Sequence, residues 1–90
     1  MLSPESRVSK KKSIPWRMIE EEAVLVDIDK GEVIQLDEVG ARIWENIDGS
    51  ATVSGIIDAV CSEFEVDKDT ATADVLEFLN ELSDRGAIHH

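Results

Sequence analysis

Between Trp16 and Leu36 apolar residues tend to fall at every second position, whereas from Gly40 to Leu82 they recur every three or four. That change of period predicts a small sheet followed by helices. Pro15 forces Ile14 extended, and Trp16–Ile19 then reads as a short first strand. Ala23–Ile28 (AVLVDI) is rich in β-branched residues, with Val24, Val26 and Ile28 at period two. Asp29-Lys30-Gly31 is a tight turn whose glycine takes positive φ at little steric cost, and Glu32–Leu36 returns as the partner strand. So short a connection makes the pair antiparallel. With the Trp16 segment it forms a three-stranded meander.

The helical half is punctuated by caps. Asp37 follows the last strand where an N-cap is wanted, and Glu38 sits favourably in the first turn of the helix. Gly40, Ile43, Trp44 and Ile47 make one face of this helix, which Asp48-Gly49-Ser50 ends. Thr52 caps a second helix with the stripe Ile56, Ile57, Val60, Cys61 and Phe64, broken at Glu65-Val66. Asp67 caps a third, longer helix, in which Ala71, Val75, Phe78, Leu79 and Leu82 face the core. Gly86 stops it, and Ala87-Ile88 pack the end back. The order βββααα predicts an α+β domain with its helices on one face of the sheet. Met1–Ser13 is polar, contains Pro4 and lacks periodicity, so it is expected to be a disordered tail preceding a domain at 14–88. His89 and His90 resemble the start of an affinity tag and are set aside.

Charge narrows the partners. Residues 1–18 carry five bases against one acid, a balance of +4; residues 19–90 carry four against nineteen, a balance of −15. A body that acidic repels a phosphate backbone, so nucleic acid is not an expected partner. The basic tail reads as a solvated linker. Ninety residues allow a single core. The one cysteine permits no intrachain disulfide, and no apolar run nears the roughly 20 residues of a membrane span. The start of the chain lacks a signal-peptide apolar region. The expectation is a cytoplasmic protein with no membrane partner.

No residue stands out as a catalyst. Cys61 lies within an apolar stripe, and no internal histidine is present to deprotonate it, so it reads as a small buried hydrophobe. The only histidines are terminal, which argues against a structural zinc site. Asp37/Glu38 and Asp67/Asp69 are explained as caps rather than acid/base pairs. Gly31, Gly40, Gly49 and Gly55 lack a phosphate-binding spacing. Trp44 reads as core, and Trp16 as core in preference to a binding surface. The expectation is therefore binding without catalysis and without a cofactor.

Two features favour peptide binding. The meander leaves Glu32–Leu36 at an edge with unpaired backbone groups, little charge and no proline. Leu76 lies off the core stripe of the third helix, near Ala73 and Asn80, where it would line a groove beside the sheet.

The order and spacing of Leu36-Asp37, Gly40, Ile43-Trp44, Asp48-Gly49, Asp74-Val75, Phe78-Leu79 and Leu82 resemble the pyrroloquinoline quinone biosynthesis protein D (PqqD) family over about Ala23–Ile88. Asp37 replaces the frequent Asn of that pattern, and both residues cap well. The resemblance implies a winged helix-turn-helix-like domain acting as a recognition element for ribosomally made precursor peptides. Such a domain binds the leader and presents the peptide to a modifying enzyme, often a radical S-adenosylmethionine (radical SAM) protein. It implies leader addition along Glu32, Val33, Ile34, Gln35 and Leu36. The facing wall of the groove would come from Asp74, Leu76, Leu79, Asn80 and Ser83. A DNA-binding winged helix shares the fold but conflicts with the acidic body; a small acidic adaptor is the third class.

Overall fold

The computed structural model describes residues 2–90, so Met1 lies outside the described residues. Its elements are β1 (Ser9–Lys10), β2 (Trp16–Ile19), β3 (Glu22–Asp27), β4 (Glu32–Leu36), α1 (Glu38–Glu45), α2 (Val53–Phe64), α3 (Lys68–Asp84) and β5 (Ile88–His89). The main sheet is the antiparallel meander β2-β3-β4, followed by three helices.

The caps fall where the side chains demanded. Asp37, Thr52 and Asp67 accept from the amides of Gly40, Gly55 and Thr70, each at the third position of its helix. The Thr70 amide and hydroxyl hold the Asp67 carboxyl below the usual carboxylate range. That contribution is complete above the ordinary Asp pKa and is lost as pH falls through the lowered one. Asp67→Asn, which caps without titrating, should therefore show a shallower loss of stability on acidification, followed by circular dichroism.

Register settles which face of the sheet is inside. Leu25 pairs with Ile34 and Ala23 with Leu36, and these residues turn toward the helices. The period-two set Val24, Val26 and Ile28 lies on the opposite face; Val26 and Ile28 are exposed there. Both parities of AVLVDI are apolar, so the pattern was degenerate, and the strand's position against α1 chose between them. α1 packs on β3, β4 and α2, while α2 packs on α3. Trp44, Ile43, Ile47, Ile56, Val75, Leu79 and Leu82 are fully buried between these layers.

From Leu2 onward the expected disordered tail is ordered. Val8 is fully buried and Leu2 nearly so. The segment runs along the α1–α2 connection through Val8 N→Ala51 O, Gly49 N→Val8 O, Val53 N→Ser6 O and Ser54 N→Pro4 O. β1 then pairs with β5, Ser9 with His89 and Lys10 with Ile88, so His89 takes part in a strand. Lys10 Nζ donates to Ile47 O at 2.7 Å and lies 5.1 Å and 5.4 Å from the centroids of Trp16 and Trp44. Burial lowers its pKa against the opposing pull of Asp48 and Glu45. The segment is short and its apolar residues are sparse, so no period betrayed it. The backbone bonds that tie it to the rest of the domain go to partners more than 40 residues away, which composition cannot register.

Candidate groove between the edge strand and the third helix

Among the described residues β4 has one neighbour, β3, and its other edge is free. The orientation of its backbone groups follows from the ladder. Val26 N donates to Pro15 O at 2.9 Å, so the main chain of Val26 turns toward β2 and that of Leu25 toward β4. Because Leu25 stands opposite Ile34, Ile34 is spent on β3, while Val33 and Gln35 turn their N–H and C=O outward.

Beside this edge lies a groove of about 390 Å³. One wall is Val33–Asp37; the other is Phe78, Glu81, Leu82 and Arg85 of α3. It exists because α3 closes against α2 and β5 and stands off from β4. Ile34 and Phe78, both half-buried, and the buried Leu36 and Leu82 make an apolar floor. Gly40 positions the aromatic ring: a Cβ there would lie 3.1 Å from Phe78 Cε1. Its lack of a side chain lets α1 and the ring approach. At the mouth, Arg85 reaches Glu32 across the groove at 3.8 Å and Glu81 along its own helix at 3.6 Å.

The β4 residues singled out from sequence are thus gathered in one wall: Val33, Ile34, Gln35 and Leu36 directly, Glu32 through Arg85. The α3 residues are not. With the buried line Val75–Leu79–Leu82 as reference, Phe78, Glu81 and Arg85 lie about 60–120° to one side at 100° per residue. Leu76, Asn80 and Ser83 lie about 80–140° to the other. Leu76 packs partly against the core, Leu79 is wholly inside it, and Ser83 Oγ meets His90 Nε2 at 2.9 Å. Asp74 is on the groove's flank, one turn before Phe78, but does not line it. Phe78, expected to face the core, packs against it half-buried and also forms the wall. Its signal was its own position at the margin of the stripe; which margin faces the sheet is not written in a helical period.

The exposed outer sheet face carries Ile19, Val26 and Val33, and Trp16 meets Trp44 edge-on at 6.1 Å between centroids. Trp16 is therefore half in the core and half outside, at 39% exposure. Among the described residues no three His, Cys, Asp or Glu side chains converge as a metal site, and no helix is long and apolar enough to cross a membrane.

Comparison with known proteins identifies the family. The chain is 33% identical over 54 residues to the PqqA binding protein of Rhodopseudomonas palustris, covering 60% of this chain and 53% of that protein. The match thus spans about half the length of that relative. The structure of TbiB1 in complex with the TbiA(beta) leader peptide superposes with a TM-score of 0.83 at 30% identity, covering 90% of this chain and 94% of that one. The PqqD truncation of Methylobacterium extorquens PqqCD, a stand-alone recognition element for ribosomally synthesised and post-translationally modified peptides, shares the fold. Its TM-score is 0.81 at 21% identity, with 100% and 96% of the two chains covered. The family model described as coenzyme PQQ synthesis protein D (PqqD) matches residues 22–88, nearly the whole domain. The chain belongs to the PqqD family.

Proposed function

We propose that this domain is a non-catalytic recognition element that binds the leader of a ribosomally made precursor peptide as an added strand on β4 and presents it to a modifying enzyme, such as a radical SAM protein. The observation that carries the reading is the coincidence of a free strand edge with an apolar groove along the same strand. Val33 and Gln35 offer main-chain bonds that read no sequence, and the groove receives alternate side chains that do. The likeness to TbiB1, whose structure holds a leader peptide, supports it.

Titrating a leader peptide, taken from a precursor encoded beside this gene, into isotope-labelled protein tests the site. Amide shifts should centre on Val33–Asp37 and Phe78–Arg85. Shifts confined to the outer face of α2, with both walls silent, would place the ligand elsewhere. Phe78→Glu should weaken leader binding by about 1–3 kcal/mol, the usual range for loss of an apolar anchor. Leu76→Glu, on the far flank of the same helix, should change it little. Calorimetric titration of the two variants separates the flanks.

A further inference from the structure

We infer that the peptide segment filling this groove is basic, with a lysine or arginine two residues from its apolar anchor, held by Glu32 and Glu81. The inference rests on the strand-addition reading and names the chemistry of its ligand. A strand added to β4 in either direction turns every second side chain to the face that Ile34 occupies. The inward positions therefore stand opposite Leu36, Ile34 and Glu32. The first two meet the apolar floor around Phe78. The third meets charge.

At that end Arg85 is shared between two carboxylates, 3.8 Å from Glu32 and 3.6 Å from Glu81. Both separations are within ion-pair range but beyond hydrogen-bond length, so one guanidinium is shared by two carboxylates and hydrogen-bonded to neither. The other nearby base, Lys30, donates its Nζ to the carbonyl of Arg85 at 2.9 Å, and Asp27 accepts the Lys30 amide. Among the described contacts, then, Arg85 is the single cation set against the two carboxylates Glu32 and Glu81, and one negative charge is left over. The side chains of Glu32 and Glu81 are 50% and 62% exposed, so a cation reaches them without being stripped of water. The surrounding body, at −15 beyond residue 18, adds a long-range field of the same sign that draws cationic peptides in. An acidic segment would have to detach both carboxylates from Arg85 and approach against that field.

A display library of random peptides of about twelve residues, sorted against the full chain at low salt, tests this. Enriched sequences should carry Lys or Arg two positions from an apolar residue. The double substitution Glu32→Gln with Glu81→Gln should weaken them about three- to tenfold, as should raised salt. Enriched peptides that are acidic or indifferent to charge, yet lost on Phe78→Glu, would overturn this inference and leave the groove standing. Peptides that bind the Phe78→Glu protein as well as the parent, or a library that yields no binder, would remove the strand-addition reading and this inference with it.

Discussion

Truncating Trp44 to alanine is expected to cost about 3–5 kcal/mol, the usual range for a buried aromatic emptied to a methyl group. The ring is fully buried, packs nearly perpendicular to Trp16 with centroids 6.1 Å apart and has the Lys10 ammonium near its face at 5.4 Å. One substitution therefore leaves a cavity and also removes the partner that seats β2 and the N-terminal segment. Small domains of this kind have roughly 5–15 kcal/mol in total, so the variant should unfold at much lower denaturant or not fold at all. Trp44→Phe separates ring from volume. Among the described residues the indole Nε1 has no hydrogen-bond partner, so phenylalanine forfeits packing but no hydrogen bond and should cost much less. Urea unfolding of the two variants checks the pair. A Trp44→Ala protein as stable as the parent would place the ring outside the core.

Deleting residues 1–11 is expected to destabilise the domain by about 2–4 kcal/mol, a fall in Tm of roughly 10–25 °C at this size. The deletion strips Val8 and Leu2 from the core, leaves β5 without its partner and exposes the α1–α2 connection along which residues 4–8 run. The entropy of ordering residues 2–11 offsets part of the gain from burial, which is why the expected loss stays below the sum of the contacts. Differential scanning calorimetry reads it directly. A Tm within a degree or two of the parent would mean that this segment rides on the surface. Val8→Asp is the finer probe, because it puts an unpaired carboxylate into a dry site while leaving the chain length unchanged.

The acidic body, the three caps and the change from period two to period three or four were legible because each is a local property of the chain. Asp37, Thr52 and Asp67 fix where helices begin by bonds to residues three positions on. Gly31 and Gly86 mark the turn and the helix stop, and both have positive φ. The edge Glu32–Leu36 was equally legible, since a three-strand meander must end on its last strand. What remained hidden depended on neighbours distant in sequence. AVLVDI is apolar on both parities, so only packing against α1 decided that Ala23 and Leu25, not Val24 and Val26, face inward.

By itself, then, the sequence determined the order of the meander strands and the three helices, their caps, the strand that ends the main sheet and the sign of the surface, because nearest neighbours and composition dictate all four. Tertiary structure decided the rest. Phe78, Glu81 and Arg85, rather than Leu76, Asn80 and Ser83, became the groove wall because α3 turns that flank toward β4. A helix has two flanks beside its buried stripe, and only the placement of the sheet tells them apart. The N-terminal segment became structure for the same reason: its bonds run to Ala51, Val53 and Ala87, and those partners exist only once the chain has closed on itself.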